Sequence, residues 1–473
     1  MLSATAVLLL LAPLASAEEV AGKIGYMSGG LIARHADGSF NIMGPKSEVL
    51  AGDNLETAKD SYAQVLMNDG TQMTLRPNSD LKIEAYQFKK EVPTEDNAVF
   101  RLLKGGFRTV SGLIGKRGNF DAYKLKALTA TIGVRGTDFT TRLCTGQDCA
   151  EDGTVKPKLI QPVGRVMLIQ GELTAKDHSA MIRKLVVGSS VFDDEVLTTG
   201  KNSLAIVVFR DEGRVSLQEE TIFHVEKFQF ERKPTPEAAQ ENAIFRLLKG
   251  GVRVVTGLIG RGKHENYIFR LTTATIGIRG TGFDAWCNAS CANEGDKTAA
   301  TQEAPLQGAG VYVWSGQVAL SNATNSQLVS VGQAAILGQD LKPVPVTNVP
   351  AGIIQNKTPR PDSVKVDMQK EFENDSAPAV QPTNDPNSKS DGKAEAGVYV
   401  TVNDGQIILT QNNGNSVDVA KGQTGYANNQ FVARLSETPK FMNVEKLPAE
   451  NDNGAGNRNK SSILPPQNGC QVK

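Results

Sequence analysis

The chain has 473 residues, more than one ordinary core accommodates, so two or more domains are expected. Lysine plus arginine number 51 and aspartate plus glutamate 51, so overall charge calls for no polyanionic partner, although a neutral total can hide a basic face. Aromatic content of 6% with 46 glycines suits short strands and many turns, not helical bundles.

Residues 1–17, MLSATAVLLLLAPLASA, place an apolar run, Ala6 to Leu11, before Ala15-Ser16-Ala17, a small-x-small cleavage site. The run is shorter than the ~20 residues a membrane span needs. It reads as a secretory signal, and no other stretch approaches spanning length. The expected mature protein has no integral membrane span and is periplasmic or exported.

The rest is a duplication. FRLLKGGFRTVSGLIG, Phe100 to Gly115, returns as FRLLKGGVRVVTGLIG, Phe245 to Gly260, with thirteen of sixteen positions identical. TATIGVRGTDF (Thr129 to Phe139) returns as TATIGIRGTGF (Thr273 to Phe283). Fainter matches hold register upstream, such as Gly22-Lys23-Ile24 with Gly164-Arg165-Val166. A smaller repeat, GVYVWSGQVAL from Gly310 and GVYVTVNDGQIIL from Gly397, reads as strand, turn, strand. The expected organisation is a module at 18–160, a second at 161–341 with trailing strands, and a Pro/Asn/Ser-rich linker at 342–395. A small β unit at 396–445 and a disordered tail at 446–473 follow.

Apolar spacing within a module is mostly two. Ala63, Val65 and Met67 alternate with polar neighbours, and Asp69-Gly70 is a tight-turn signal. Strands of about five residues between closely spaced turns predict an all-β fold of sandwich or solenoid type. EDNAVFRLLKG, from Glu95, is the one helix candidate inside a module; two strands split at Gly105-Gly106 are the favoured reading. PDSVKVDMQKEFEND, from Pro361, allows a short helix in the linker.

In the eleven-residue motif, Gly133 clears space beside Arg135, and Gly136 relaxes the backbone after it. Two readings compete. Arg135 and Arg279 tie strands of their own modules together, with Asp53 and Glu195 as acidic partners, or they clamp an acidic ligand group. The cysteines fit an oxidising compartment. Cys144 with Cys149, and Cys287 with Cys291, close short local disulfides; a four-thiolate zinc site joining the modules is the rival, and Cys470 stands alone.

Basic residues cluster in the repeated segment: nine between Phe100 and Arg142 against Asp121 and Asp138, and seven between Phe245 and Phe283 against Glu265. Lys116, Arg117, Arg261, Lys263, Arg108 and Arg253 are the candidate ligand residues, for an anionic envelope polymer such as lipopolysaccharide, peptidoglycan or an acidic exopolysaccharide. A solvated loop is the bland alternative. Nucleic acid is disfavoured because stacking aromatics are missing. His35, His178, His224 and His264 are scattered, no nucleophile or phosphate-loop motif occurs, and neither catalysis nor a metal or cofactor is expected.

The order L-x-x-GD-x-L-x-T (Leu50 to Thr57), S-x-A-x-V-x-x-x-DG-T-x-x-x-L-x-P-N-S (Ser61 to Ser79), L-x-G-G-x-R-x-x-x-G (Leu103 to Gly112) and A-T-I-G-V-R-G-T-x-F resembles the FecR domain. That is an extracytoplasmic all-β module of Gram-negative bacteria. Copy two departs from the pattern at Asp194-Glu195, at Asp211-Glu212-Gly213 and at Glu219-Glu220-Thr221. The resemblance implies a compact, solenoid-like β fold. The best-known members of the family are transmembrane regulators that bind an anti-sigma segment inside and sense a receptor outside. This chain shows no cytoplasmic helical region or internal transmembrane helix, so it resembles the secreted or periplasmic members. A binding or scaffold role is expected, with protein–protein signalling or structural assembly as alternatives.

Overall fold

The computed structural model describes residues 19–117, 121–128, 130–145, 148–149, 159–231, 241–288, 308–337, 341–346, 349, 358–372 and 395–443. The expected signal peptide, Cys291, Cys470, the tail and most of the linker lie outside these residues. Contacts divide the chain into a first unit ending at Ala127 and a second from Leu128 to Val444. The fold is nearly all β.

The first unit holds β1 (Val20–Ser28), β2 (Leu31–Arg34), β3 (Phe40–Ile42), β4 (Glu48–Leu50), β5 (Asn54–Thr57), β6 (Tyr62–Met67), β7 (Gln72–Leu75), β8 (Asp80–Gln87), β9 (Asn97–Val110) and β10 (Tyr123–Ala127). The period of two survives: along β6, Ala63, Val65 and Met67 are buried and the residues between them are not. β9 is neither helix nor two strands but one bent strand that pairs first with β8 and then with β7. The bend is at Gly105, at φ 72°, where a Cβ would meet the Asn78 carbonyl oxygen at 2.6 Å. A helical turn, α1 (Leu113–Lys116), then carries the chain over so that β10 runs parallel to β9. Phe100, Phe107 and Tyr123 are fully buried in this unit.

The second unit begins with β11 (Ala130–Cys144) and β12 (Leu159–Ile160). Copy two follows: β13 (Gly164–Gln170), β14 (Leu173–Lys176), β15 (Ile182–Lys184), β16 (Ser190–Val191), β17 (Val196–Thr199), β18 (Leu204–Phe209), β19 (Arg214–Leu217), β20 (Ile222–Gln229), β21 (Asn242–Val255), α2 (Leu258–Gly262), β22 (Tyr267–Arg270) and β23 (Thr275–Asn288). Then come β24 (Gly308–Ser321), β25 (Ser326–Ser330), β26 (Ala334–Leu337), β27 (Pro343–Val346), β28 (Gly397–Gln411), β29 (Ser416–Ala420), β30 (Thr424–Ala427) and β31 (Val432–Leu435). A run of rings fills the core of copy two, with Phe209, Phe245, Phe223, Phe269 and Phe283 in successive contact at 4.9 to 6.2 Å between centroids.

The two motif strands find their partners differently. β23 pairs antiparallel with β24, the next strand in the chain. β11 pairs in the same register pattern with β28, so the ladder from Ala130↔Gln411 to Cys144↔Gly397 encloses all of copy two in sequence. The GVYV strand at 397 is therefore the counterpart of β24, completing the motif strand of copy one. Part of the expected linker is also built in: the carbonyls of Thr358, Pro359 and Val364 accept hydrogen bonds from Arg253, Ser216 and Arg214, and the short helix falls at Met368–Phe372.

Candidate functional site

The repeated arginine motif marks a double bulge. Arg135 stands opposite Gln406 and Arg279 opposite Gln317, and both ladders slip just after the arginine. Gly136 and Gly280 take φ of 59° and 61°, and their cross-strand neighbours Gly405 and Gly316 take 83° and 74°. A Cβ on Gly405 would lie 2.6 Å from the Gly136 carbonyl oxygen; on Gly316 it would lie 2.5 Å from that of Gly280. The glycines serve this close crossing of backbones. Thr137 Oγ1 seals it in copy one by donating to the Gln406 carbonyl at 2.8 Å.

Arg135 is half-buried; burial lowers its pKa and nearby Asp418 opposes that shift. Asp418 belongs to a buried ionic network that the sequence reading missed. Arg183 donates to Glu195 through Nε (3.2 Å) and Nη2 (2.7 Å), and lies 3.7 Å from Asp418. Arg434 Nε donates to the Asp418 carbonyl at 2.7 Å, and its guanidinium lies 3.6 Å from the Phe192 ring centroid and 3.5 Å from Glu195. Burial, then the neighbouring Arg183, pulls the Arg434 guanidinium below its ordinary value. The Asp418 carboxylate also accepts from the Ser190 amide and from Gln406 Nε2. The network joins copy two to the β28–β31 sheet within the second unit.

Glu195 is buried and ion-paired, and its cations are Arg183 and Arg434. Asp53, its counterpart, lies 2.6 Å from His35 Nδ1 and accepts from the Leu50 amide. The overlooked sequence signal is a charge on the inward side of a hairpin: Arg183 stands opposite Ala175 and is buried as Ala175 and Leu173 are.

The expected basic surface is thinner than the count of cations suggests. Arg117 donates to Asp96 and to the carbonyls of Lys89 and Lys90, and lies over the Phe88 ring. Arg253 is buried, bonded to Asp284 and to Thr358. These two correct the ligand assignment: a guanidinium holding a loop together is not displayed to solvent. Arg108 is half-buried on β9 opposite Thr74. Lys116, Arg261 and Lys263 are exposed and make no ion pair among the described residues; Lys116 and Arg261 lie at matching places, each the fourth residue of its helical turn, α1 or α2.

A second repeated device takes up further cations. Glu84, at a bulge of β8, is bridged by Arg101 and by Lys126 (2.7 Å). Glu226, at the matching bulge of β20, is bridged by Arg246 and by Arg270 (2.7 Å). A cavity of about 400 Å³ opens beside the second, lined by Arg246, Arg270, residues 271–275 and residues 321–323.

The GLIG segments open the helical turns, and copy one's turn start is already filled: the Ile114 amide donates to the Asp69 carboxylate at 3.2 Å. Among the described residues, no group of three or more His, Cys, Asp or Glu is placed to hold a metal ion, and no helix is long and apolar enough to cross a membrane. Cys144 and Cys149 form a disulfide (S–S 1.99 Å) against Tyr399, Tyr426 and Phe431. Cys287 is also disulfide-bonded.

Comparison with known proteins agrees with this duplication. The family described as "FecR protein" matches residues 53–156 and 195–319. The second match runs on into β24; the first stops short of β28. No curated protein matches the chain. Two solved structures of a provisionally assigned anti-sigma factor from Parabacteroides distasonis, at 2.50 and 1.65 Å resolution, are similar at 15% identity, with TM-scores of 0.25 and 0.24. Each similarity covers 34% of this chain and 62% of that one, so the chain spans under two thirds of the relative's length. This chain carries two FecR domains in tandem, the first completed by a strand that lies beyond the second.

Proposed function

We propose that the chain is a non-catalytic, extracytoplasmic binding protein whose FecR domains present cations to an anionic component of the cell envelope. The observation that carries this reading is the matched exposure of Lys116 and Arg261, each the fourth residue of equivalent helical turns, with Lys263 near the latter. A rigid β frame supports it, because fixed cations lose little freedom on binding. The leader-like first seventeen residues support the compartment, and a mature protein starting at Met1 on N-terminal sequencing would remove that support.

The test is co-sedimentation with purified peptidoglycan and with lipopolysaccharide at rising salt. Binding should weaken with salt, and the triple variant Lys116→Glu, Arg261→Glu, Lys263→Glu should lose about tenfold or more in affinity. Binding that ignores both overturns the reading.

One observation favours a second reading, contact with another protein. Among the described residues β3 is a sheet edge that pairs with β2 alone, and Phe40 and Ile42 on it are 59% and 81% exposed. The matching edge of copy two carries Lys184 where copy one has Ile42. A charged edge discourages strand addition and an apolar one permits it. Ile42→Lys would abolish such a contact and leave polymer binding untouched.

A further inference from the structure

The outward face of copy two carries an ordered polar row. Arg246 stands opposite Arg270, Arg270 opposite Thr275, Thr275 opposite Ser321 and Ser321 opposite Ser326. Directly opposed residues share a face, so these five side chains line one side of β21 to β25 at the inter-strand spacing of about 4.8 Å. Their chain neighbours Phe245, Phe269, Ile276 and Leu320 are buried on the other side. The next outward row is apolar and shallow: Ile244, Ile268, Gly277, Ala319 and Leu328. A Cβ on Gly277 would meet nothing closer than 3.9 Å, so the middle of this row is open. The cavity lies at the polar row.

Two guanidinia share the Glu226 carboxylate, Arg246 through Nε and Arg270 through Nη1. The carboxylate holds both in place and cancels one charge, leaving a net positive charge and further N–H donors at the cavity wall. The residue classes recur in copy one. Glu84, Arg101 and Lys126 form the ionic part in the first unit. Thr131, Thr410 and Ser416 stand in register in the second. Outward positions drift most freely after a duplication, so a retained row of cations and hydroxyls calls for a reason beyond packing. On β28–β29 the row matching Gly277, Ala319 and Leu328 is Gly133, Ile408 and Asp418, and there Asp418 bonds to copy two, closing that face. On β24–β25 the same face carries no such contact among the described residues, and Leu328 is 52% exposed.

We propose that this face of copy two binds an acidic saccharide chain, with its anionic group on Arg246 and Arg270, its hydroxyls on Thr275 and Ser321, and its C–H faces on the Gly277–Ala319 row. The proposal rests on the binding-protein reading above and places a site on residues distinct from the exposed loops.

Calorimetry with tetragalacturonate, its methyl ester and inorganic phosphate tests it on the full chain. The carboxylated oligomer should bind, and the ester and phosphate at least about tenfold more weakly. Arg270→Gln should lower affinity about tenfold, while Arg270→Lys, the residue class at Lys126, keeps most of it. Both variants should melt near the wild-type temperature. No binding of tetragalacturonate, equal binding of phosphate, or an Arg270→Gln affinity equal to wild type overturns the site. The loop triple variant separates the two proposals: it should leave tetragalacturonate binding intact whether or not it abolishes binding to envelope polymers.

Discussion

Asp69 and Asp211 occupy the same turn in the two copies, and their surroundings differ. Asp69 accepts from the Thr71 hydroxyl (2.9 Å), the Tyr86 hydroxyl (3.2 Å) and two amides, those of Thr71 and Ile114. In copy two Gly213 and Phe228 replace Thr71 and Tyr86, so Asp211 keeps amide donors and loses both hydroxyls. Burial then pushes the Asp211 carboxyl up to about 6, with Glu212 adding to the shift. The edge hairpins diverge likewise: exposed Asn41 in copy one, buried Arg183 in copy two. The duplication has kept the backbone devices and let the polar partners change. A bulge needs its glycine in either copy, whereas a buried charge needs only some partner.

The widest separation between the copies is expected at the hairpins. Arg183→Ala leaves Glu195 and Asp418 buried without that guanidinium and should cost about 3–5 kcal/mol. Asn41→Ala, at an exposed place, should cost less than about 0.5 kcal/mol. Urea melts of both variants measure the difference, and equal losses would erase it.

Asp211 should impose a smaller, pH-dependent effect. Its folded value lies above the ordinary carboxylate value of about 3.9, so the unfolded chain ionises first as pH rises. The contribution to stability is full below pH ~4, declines between ~4 and ~6, and levels off above that at a loss of about 3 kcal/mol. Asp211→Asn should therefore gain on wild type as pH rises through this window, while Asp69→Asn, which gives up bonds to two hydroxyls, should lose. Thermal melts at pH 4.5 and 7 compare them; the same sign for both would refute the contrast.

The smallest contrast is expected at the bulges. Gly316→Ala and Gly405→Ala each force a Cβ onto a backbone oxygen at positive φ. Both should cost about 1–3 kcal/mol, and by similar amounts. A large loss at one and none at the other would mean that the crossings are not equivalent.

Much of the fold was legible in the residues. Alternation along YAQVLM fixed the strand and its inner face, Asp69-Gly70 its turn, and the repeated glycines announced positions where a side chain has no room. FRLLKGG was read as two strands because paired glycines usually end one; here Gly105 bends a single strand, since its neighbours change from β8 to β7 at that point. The basic cluster misled because counting cations ignores who holds them. Asp96 precedes Arg117 by 21 residues and Thr358 follows Arg253 by 105, distances at which no local spacing rule operates.

By itself the sequence determined the duplication, the β class and the glycine-dependent crossings, because periodicity and steric demand are written locally. The pairing of β11 with β28 was decided only in the folded chain, as were the Asp418 network and the rows across β21 to β25. Ladders between distant strands are made by backbone groups that every residue carries, so no side chain at Ala130 names Gln411 as its partner.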